Sequence, residues 1–557
     1  MDKSVLDSSN VYNVVRVKDE IAATMKFLSE TLVRTLGPYG ATTLIMDRQL
    51  QHRLTKDGYT VLRNIFLKNE LPRTILDIVK SISGNQVRTV GDGSTSAIIV
   101  ASELYARLSK LISESNMSPK DIVDILNFIG SEFEWIIKNS AKPIDDEMIR
   151  LEDIARISSN NDIETGMMIS EIFKKIGRHG FVNIENSLDE DYYEITSGVE
   201  VPRGLINWIF ANKEDKRTCE FDQPLVFMTN GRLDTSDMDM MLDLVGEVCK
   251  RKATPLVVIA KEYSSDMRTF FHMNKMEDKQ LRVCAIDIAI ESEHAMQTFN
   301  DLAISLGCVP LDKLDSEFVR TFPLERLGGC EKSVINDLSS KFIQGFGDSK
   351  QIDERVSVIQ EMYTRLDNLN DHIDRSEELY HLRKRMATLQ KSMAVLYVGG
   401  NSEVEREAKK YLMEDAVFAC RSALEHGYIV GGNLTVPRIL TDILMFNTIK
   451  KSIRVKFSNL SIEEKFLDNL LTEIRKSFAI SFQSVLTNAR LADNEVKSIM
   501  DECTNKELFY NLKKRAYESD TETSVINSAE TDIQIIKSSF SIIGQLVTCN
   551  QFISINI

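Results

Sequence analysis

Apolar residues at the start of the chain recur every three or four positions from 14 to 34, and the pattern stops before the Gly-Pro pair at 37–38. Side chains with this spacing share one helix face, so the pattern predicts an amphipathic helix that ends at the pair. The apolar run at 42–46 predicts a strand. Asp57-Gly58, between two further apolar stretches, predicts a type I′ hairpin turn.

The predicted secondary structure changes from mostly helical to mixed α/β in the middle of the chain. A glycine-rich turn at 91–95 leads into an apolar helix whose first hydroxyl side chains suit an N-cap, and another helical block covers about 120–138. Short β-rich runs then occur at 225–228, 256–260 and 283–287, separated by helical stretches. This alternation predicts an α/β unit.

Two amphipathic patterns between 356 and 393, broken near 374–376, predict an antiparallel helical hairpin. Helical patterning returns from about 427 onward. The 557 residues correspond to three or four domains at roughly 150 residues each. The order of patterns predicts that the chain begins and ends in one kind of domain, with another inserted.

Composition excludes several classes of protein. Hydrophobic residues make up 43% and charged residues 27%, as in soluble globular proteins, so dominant disorder is excluded. The formal charge of −15 disfavours nucleic-acid binding. No leader pattern or long apolar run is found, which predicts a cytoplasmic protein without a membrane segment. The 8 cysteines form no CxxC pair and the 7 histidines no zinc motif, so we expect reduced thiols and no zinc site.

The strongest chemical signal combines glycine-containing segments at 35–40, 55–58 and 91–96. A glycine turn that feeds a helix N-terminus presents free N–H groups to phosphate. Asp92, between two glycines, has the carboxylate that Mg²⁺ favours beside phosphate oxygens and water. The segment at 91–96 matches neither the Walker A nor the Rossmann spacing, and by itself Gly-Asp-Gly is more often a plain turn.

Together, the segments TLGPYG at 35–40, LTKDGYTVLRNI at 54–65 and TVGDGSTSAIIVASELY at 89–105 resemble the group I chaperonins, the GroEL family. The likeness continues in order through AVLYVGGNSEVE at 394–405 and MEDAVFACRSALEHGYIVGGN at 413–433 to FYN near the end, and so covers nearly the whole chain. In its length and in its divergence from the family between the motifs, the chain resembles the chaperonins of some large bacteriophages.

The resemblance implies an α+β multidomain fold of GroEL-like chaperonin type. It implies a mostly helical equatorial ATPase domain at 1–141 and 427–557, a small intermediate hinge domain at 142–197 and 392–426, and an α/β apical substrate-binding domain at 198–391. The inserted α/β middle predicted from the patterns agrees with this arrangement.

The resemblance also assigns residues to nucleotide chemistry. Asp92 matches the Mg²⁺ ligand, Asp415 the carboxylate that orients the attacking water, and Asp57 a second, assisting carboxylate. Without the motif, Asp415 would be taken for a solvated helix residue. The positions that match the family's nucleotide contacts are Thr35, Leu36, Gly37, Pro38, Lys56, Gly58, Gly93, Ser94, Thr95, Ser96, Ile157, Gly431, Gly432 and Asn511.

The match is weaker at the base and sugar. Asn433 stands where the family has a third glycine, and Leu512 and Lys513 follow Asn511 in place of alanines. The family's ribose-side aspartate has no clear match, and Ala529 falls nearest to it. The triphosphate end is the better preserved part of the pattern.

The apical segment matches positions that bind unfolded chains in the family. An exposed apolar stripe captures other apolar surfaces, although a stripe at helical spacing is more often core. Arg268 and His272 stand where aliphatic residues are usual. The matching positions are Leu205, Ile209, Phe210, Leu242, Val245, Phe271 and Met273.

The resemblance implies an ATPase that uses ATP with Mg²⁺, and with K⁺ as an accompanying ion. It implies a chaperone that captures non-native proteins and folds them within a single or double ring of about seven identical subunits, with or without a co-chaperonin. If the chain is phage-encoded, its compartment is the host cytoplasm. One alternative is a scaffold or holdase of the same fold without productive ATP cycling, and another is a small-molecule phosphotransferase.

Overall fold

The computed structural model describes residues 11–553 except 13, 47–51, 116, 146–147, 160–161, 179, 188, 197, 202, 214–216, 252, 278–280, 289–290, 314–319, 368–374, 391 and 461. The chain divides into two compact units. Unit 1 comprises residues 1–174, 184–191 and 397–557, and unit 2 comprises 175–183 and 192–396. The division into equatorial, intermediate and apical domains stays a prediction.

The described α-helices occur in both units, and most of them lie in unit 1. In chain order the described α-helices are α1 Val14–Leu32, α2 Gly58–Asn64, α3 Glu70–Val90, α4 Ser94–Glu114, α5 Pro119–Ser140, α6 Leu151–Ser158, α7 Ile163–Ile176, α8 Met238–Val245, α9 Ser265–Glu277, α10 Glu293–Leu306, α11 Ser349–Asp367, α12 Ser376–Leu389, α13 Glu403–His426, α14 Thr435–Thr441, α15 Ile443–Lys456, α16 Glu464–Asn488, α17 Asp493–Asn505 and α18 Ala529–Val547. Shorter 3₁₀ or π turns occur at Val33–Thr35, Trp208–Phe210, Thr235–Asp237, Gly246–Arg251 and Leu324–Arg326.

The strands form one larger sheet and several small ones. In chain order they are β1 Val11–Tyr12, β2 Thr43–Met46, β3 His52–Thr55, β4 Phe181–Asn186, β5 Tyr192–Thr196, β6 Gly198–Val201, β7 Cys219–Asp222, β8 Leu225–Leu233, β9 Leu256–Tyr263, β10 Val283–Asp287, β11 Gly328–Ile335, β12 Ser340–Gly345, β13 Met393–Val398, β14 Tyr428–Val430, β15 Leu508–Asn511, β16 Ala516–Ser519, β17 Ile526–Ser528 and β18 Phe552–Ile553.

The core of unit 1 is built around α4, which packs against α1, α16 and α18. Small residues such as Ala97 and Ala101 let neighbouring helices approach this apolar helix closely, and both are fully buried. The Ser539 hydroxyl on α18 donates a hydrogen bond to the Ala97 carbonyl at 3.1 Å. This packing fixes the position of the N-terminus of α4.

Unit 2 contains the sheet of order β10-β9-β8-β11-β12-β6, with β7 also paired to β11. Strands β8, β9 and β10 are parallel and alternate with α8 and α9, which confirms the predicted α/β unit. The helical hairpin is confirmed as α11 and α12, which pack together; the predicted break includes Asp374, which lies outside the described residues. Among those residues, we find no helix with the length and apolar character needed to cross a bilayer.

The local predictions near the N-terminus are confirmed in part. The helix from Val14 ends before Gly37, and the strand at 43–46 is present. The prediction of a hairpin turn at Asp57-Gly58 is wrong, because residues 60–62 belong to α2 and not to a second strand. The hairpin that forms pairs β2 with β3 before this point, and Asp57 caps α2. The expectation of a hydroxyl N-cap for α4 is also wrong: Gly93 takes that position and the hydroxyl residues follow in the first turn.

Candidate functional site

A cavity of about 800 Å³ in unit 1 collects segments that are far apart in the chain. Its walls come from the loops around 35–38, 56–58 and 91–96, from α6 and α13, and from the region 432–527. Of the nucleotide-site and catalytic residues predicted from the sequence, all line this cavity except Gly431. The structure therefore brings together residues that are up to several hundred positions apart.

The glycine turn that joins α3 to α4 lies directly against α13. Gly91 and Gly93 have φ angles of +72° and +81°, which side-chain-bearing residues rarely adopt. A Cβ atom on Gly91 would lie 2.6 Å from the Cβ of Phe418 and 2.7 Å from the carbonyl oxygen of Asp415. Only glycine at this position lets the loop approach the helix that carries Asp415.

The first turn of α4 is open toward the cavity. Gly93 at the N-cap has no side chain, so it cannot supply the capping oxygen that usually accepts from the first N–H groups. The residues of this turn, Ser94, Thr95 and Ser96, line the cavity and add three hydroxyl groups. Free N–H groups and the positive end of the helix dipole make such a terminus suited to an anion.

Asp92 lies between the two glycines of the turn. Its Oδ1 accepts a hydrogen bond from the Gly93 N–H at 2.6 Å, and its carbonyl oxygen accepts from the Gln86 side chain at 3.2 Å. Burial raises the pKa of Asp92, and the nearby charge of Asp57 raises it further, while the Gly93 hydrogen bond opposes both. A carboxylate in this setting is stabilised by a cation.

Asp57 has a structural task that sequence reasoning missed. Its two side-chain oxygens accept hydrogen bonds from the backbone N–H groups of Tyr59 at 3.1 Å and Thr60 at 2.7 Å. These bonds cap α2 and fix the carboxylate at the cavity wall. Next to it, a Cβ on Gly58 would lie 2.0 Å from Thr95 Oγ1, so glycine is required where the two loops meet.

Asp415 lies on α13 and lines the same cavity. Burial raises its pKa well above the ordinary value, and the charges of Asp57, Asp92 and Glu414 raise it further. Three acids from distant parts of the chain thus repel one another across the cavity. No group of three or more His, Cys, Asp or Glu in the described part of the chain is placed to ligate one metal ion. A Mg²⁺ ion would therefore take one carboxylate, with oxygens of a bound ligand and water completing its shell.

One part of the cavity wall, called the apolar end below, is formed by aromatic and aliphatic side chains. The rings of Phe482 and Phe509 lie 5.3 Å apart at 43°, beside Val485. A Cβ on Gly432 would come within 3.0 Å of the Phe482 ring and 3.2 Å of the Phe509 ring, so glycine keeps this end open. Neither phenylalanine was among the predicted site residues. Phe482 lies on α16, where the sequence showed only helical patterning, and Phe509 lies on β15, in the FYN segment of the resemblance.

The region after β14 differs from the prediction in one respect. Gly432 and Asn433 line the cavity with φ of +80° and +56°. Gly431 lies outside the lining, because its N–H donates to the Val525 carbonyl at 2.9 Å and holds this segment against the strand region before β17. Asn433 thus keeps the left-handed backbone for which the family pattern has glycine.

Asn511 lines the cavity, but its amide is already engaged. Its Oδ1 accepts from the N–H groups of Lys513 and Lys514 at 3.1 and 3.3 Å, and its Nδ2 donates to Glu518 at 3.0 Å. These bonds stabilise the turn between β15 and β16. The role of Asn511 that the structure shows is therefore to stabilise this part of the cavity wall.

The family's ribose-side aspartate has no counterpart in the cavity at the position that falls nearest to it in the sequence. Ala529 begins α18 and is buried outside the cavity lining. Ser524, Val525 and Asn527 line the cavity in this part of the chain. No motif in the sequence identifies these three residues.

The loop at 33–38 is held by a residue that the sequence did not suggest. The Asn488 side chain at the end of α16 donates to the carbonyl oxygens of Val33 at 2.8 Å and Leu36 at 3.0 Å. A Cβ on Gly37 would lie 2.7 Å from Val485 Cγ1. The loop therefore packs against α16, at the apolar end of the cavity.

The predicted client-binding residues of unit 2 separate into two groups. Phe210, Val245 and Phe271 belong to the core, so the expectation that they form an exposed stripe is wrong for this conformation: their rings and methyl groups already pack against apolar neighbours. Leu205 and Ile209 are half-buried against the same core. The exposed members are Leu242 and Met273, each 51% exposed, and the unpredicted Trp208 and Met276 are also exposed.

Comparison with known proteins gives consistent results. Residues 28–189 match the TCP-1/cpn60 chaperonin family. The chain is 25% identical over 547 residues to a protein of Methanoregula boonei described as chaperonin GroEL, which covers 98% of this chain and 96% of that protein. The structure is similar to that of the chaperonin gp146 from bacteriophage EL 2 (Pseudomonas aeruginosa), solved in the presence of ATP-BeFx. TM-scores are 0.67 for its crystal form I and 0.60 for form II, with 17% identity and coverage of 98% of this chain and 99% of that one.

Proposed function

We propose that the chain is a diverged, GroEL-like member of the chaperonin family and that it is an ATPase that couples hydrolysis to the capture and folding of other proteins. The observation that carries the proposal is the convergence of residues 35–38, 57, 92–96 and 415 on one cavity. The cavity has a polar end and an apolar end, as a nucleotide has a triphosphate and a base.

The polar end suits the triphosphate. The open first turn of α4 offers backbone N–H groups and the hydroxyls of Ser94, Thr95 and Ser96, and Lys56 adds a positive charge at the wall. The glycines at 91 and 93 bring this backbone close without side chains in the way. Such a cradle holds phosphate without clustered arginines.

Mg²⁺ fits the polar end because Asp92 supplies a carboxylate there. When bound, the ion neutralises charge that develops on the phosphate oxygens. The Gly93 N–H holds Asp92 Oδ1 in place, so the carboxylate is positioned before any ligand arrives. We propose K⁺ as an accompanying ion on the strength of the family resemblance.

Asp415 is the residue that we assign to orient the attacking water. A carboxylate that accepts a hydrogen bond from water directs an oxygen lone pair at the phosphorus, and phosphoryl transfer needs little more than this positioning and charge neutralisation. Gly91 holds the phosphate loop against the backbone of Asp415. Asp57, fixed by its bonds to α2, lines the same cavity and is the carboxylate that we assign to assist.

Clients would be captured by exposed apolar side chains of unit 2. Leu242 and Met273 are the predicted residues that the structure leaves accessible, and Trp208 and Met276 enlarge the apolar surface. Exposed apolar groups of this size favour binding to apolar segments of unfolded chains. We further propose a cytoplasmic homo-oligomeric ring, single or double, as the working form.

A holdase of the same fold is the second candidate. It is favoured by the base and sugar contacts that the resemblance implies, since the amide of Asn511 is engaged in a turn and Ala529 lies outside the cavity lining. It predicts that client aggregation is suppressed equally with and without ATP. Refolding of an aggregating client with ATP, with ADP and without nucleotide separates the two candidates.

The test of the ATPase is the variant Asp415→Ala. We expect at least about a hundredfold lower ATP turnover with nucleotide affinity kept, because the carboxylate orients water and does not hold the phosphates. The control is Glu414→Gln, which removes a neighbouring acid of the same helix that also lines the cavity and should keep turnover. Normal turnover in Asp415→Ala would refute the assigned role.

A further inference from the structure

Arg156 on α6 lines the cavity, although nothing in the sequence pointed to it. None of the positions that the resemblance assigns to nucleotide chemistry is an arginine, and Ile157 is the only one of them on α6. Within the described residues, the guanidinium of Arg156 donates from Nη2 to Asp153 Oδ1 at 3.1 Å. Its Nε is buried and has no hydrogen-bond partner there. A buried donor without a partner costs roughly 1–3 kcal/mol, so the pairing with Asp153 leaves this guanidinium incompletely satisfied.

Asp153 does not depend on Arg156 for a partner. Its Oδ2 accepts a hydrogen bond from Arg150 Nη1 at 3.3 Å. Arg150 is in turn fixed by the carbonyl oxygens of Thr521 and Thr523, and it lies outside the cavity lining. Burial raises the pKa of Asp153, and the charges of the two arginines oppose this shift without cancelling it. Arg156 can therefore move away from Asp153 while that carboxylate keeps an ion-pair partner.

The position of Arg156 on α6 places it beside the helix of the proposed catalytic residue. Helix α6 packs against α13, which carries Asp415, and both helices line the cavity. A Cβ on Gly166 would lie 3.0 Å from the Cβ of Arg156, so α7 packs closely against the base of the side chain. The other cations of the described lining belong to other elements: Lys56 and Arg63 lie before and on α2, and Lys513 and Lys514 lie between β15 and β16.

We propose that Arg156 turns from Asp153 to the terminal phosphate of bound ATP and stabilises the negative charge on that group during hydrolysis. The inference rests on the proposed ATPase. Asp415 is assigned to orient the water that attacks the terminal phosphorus, so a cation on the helix packed against α13 belongs at this end of the triphosphate. A guanidinium offers a fork of N–H donors that matches two phosphate oxygens.

The step that Arg156 assists is the transfer of the terminal phosphoryl group to water. The water oxygen forms a bond to the terminal phosphorus while the bond from that phosphorus to the bridging oxygen breaks, and ADP, inorganic phosphate and one proton are released. Arg156 keeps its own protons throughout and contributes positive charge and hydrogen bonds to the phosphoryl oxygens. ADP has no terminal phosphate of this kind, so its binding gains nothing from Arg156.

The experiment measures dissociation constants of ADP and of the non-hydrolysable ATP analogue AMP-PNP by calorimetry with Mg²⁺, together with kcat for ATP. Arg156→Ala should weaken AMP-PNP binding about tenfold and ADP binding less than about twofold, and should lower kcat about a hundredfold. Arg156→Lys keeps the charge without the fork, so it should lose less of both AMP-PNP affinity and kcat.

Asp153→Asn separates this role from a structural ion pair. The exchange removes the charge that competes for Arg156, so AMP-PNP should bind a few-fold more tightly while ADP binding is unchanged. If Arg156 served only to pair with Asp153, both Arg156→Ala and Asp153→Asn would change the affinities in the same direction.

Arg150→Ala is the matched control, because it removes an arginine of the same region that also contacts Asp153 but lies outside the cavity lining. It should lower the thermal midpoint and keep both kcat and the ratio of AMP-PNP to ADP affinity. If Arg156→Ala and Arg156→Lys keep that ratio, the inference is overturned while the nucleotide site stands. If the wild type binds neither ligand, the nucleotide site itself is overturned, and this inference with it.

Discussion

Asp532 is a carboxyl group that the fold buries beneath the candidate site. It lies on α18 with 4% exposure, and its Oδ2 accepts a hydrogen bond from the Thr435 hydroxyl at 2.7 Å. Burial raises the pKa of Asp532 to about 7; the Thr435 bond opposes this shift, and the charge of Asp92 adds to it. The folded chain therefore binds this proton more tightly than the unfolded chain does.

Proton linkage determines whether the raised pKa of Asp532 increases or decreases stability as the pH changes. Between the unfolded pKa near 3.9 and the folded value near 7, the unfolded state loses the proton first, so stability falls as pH rises through this window. We expect Asp532→Asn to remove a penalty of up to about 4 kcal/mol at pH 8, since each pKa unit corresponds to about 1.4 kcal/mol.

The measurement is the thermal midpoint of variant and wild type between pH 4 and pH 8. The variant should gain several degrees at pH 8, and the gain should shrink toward pH 4. Thr435→Val is the control, because it removes the hydrogen bond that opposes the shift and so should lower stability most at pH 8. An equal gain from Asp532→Asn at every pH would contradict the assignment.

At the scale of single residues, the sequence predicted the acidic residues of the site better than it predicted the groups that they contact. Asp92 and Asp415 were found because each lies in a motif, and both line the cavity. The capping role of Asp57 was missed, since Asp-Gly also favours a hairpin turn and only the pairing of β2 with β3 decides between them. The conformation of Asn433 has no signal in a single sequence, because asparagine is common in ordinary turns.

At the scale of elements, the turn between α3 and α4 joins the phosphate end to α13. Gly91 ends α3 in the left-handed conformation, and its N–H donates to the Val87 carbonyl. The neighbouring contact with Asp415 is backbone, which cannot rotate away. A change in this turn therefore reaches the proposed catalytic residue through direct contact.

Gly91→Ala should lower ATP turnover about ten- to a hundredfold, because the new Cβ forces the turn and α13 apart by a fraction of an ångström to an ångström. Nucleotide affinity should fall less, since the N–H groups of α4 remain. The comparison of kcat with the dissociation constant of ADP, measured on the same preparation, checks this.

Gly177→Ala is the matched control. Gly177 has φ of +80° but no atom within 4 Å of its added Cβ, so the exchange brings the same backbone strain without the clash. It should lower stability by roughly 1 kcal/mol and leave turnover unchanged. If both variants lose turnover equally, strain alone accounts for the loss and the contact with α13 does not.

Elements with long, regular patterns were predicted well. The helices that begin at Val14 and Ser94 and the strands of unit 2 match their periodicity, because most of their apolar residues face a single core. The predicted client stripe failed for Phe210, Val245 and Phe271 for the same reason: spacing identifies an apolar face, but not whether water or a sheet covers it.

At the scale of the whole molecule, the two units are built from different parts of the chain. Unit 1 combines segments from both ends, whereas nearly all of unit 2 is the continuous stretch 192–396. The main core cluster of unit 2 consists of residues between Val199 and Phe342, and the hairpin cluster adds Ile352 to Leu389. The alternation of patterns predicted this insertion, because each segment carries the periodicity of its own core.

A fragment of residues 192–396 should therefore fold by itself, since it contains both clusters and the larger sheet. We expect a cooperative thermal transition with an ordered near-ultraviolet circular dichroism spectrum. ADP with Mg²⁺ should not move this transition, because the residues that line the cavity belong to unit 1. In the full chain, the same ligand should raise the midpoint of one transition by mass action. The free energy of unfolding gains about 2.7 kcal/mol when the ligand concentration is a hundredfold above its dissociation constant.

A fragment with Phe227→Ala serves as the control, because this fully buried ring packs against Phe322 at 4.7 Å in the core and its loss should cost about 3–5 kcal/mol. A wild-type fragment that behaves like a molten globule would show that unit 2 depends on unit 1 for its packing. If ADP shifts the thermal midpoint of the fragment, nucleotide binds outside the cavity of unit 1. That result would contradict the roles assigned to Asp92 and Asp415.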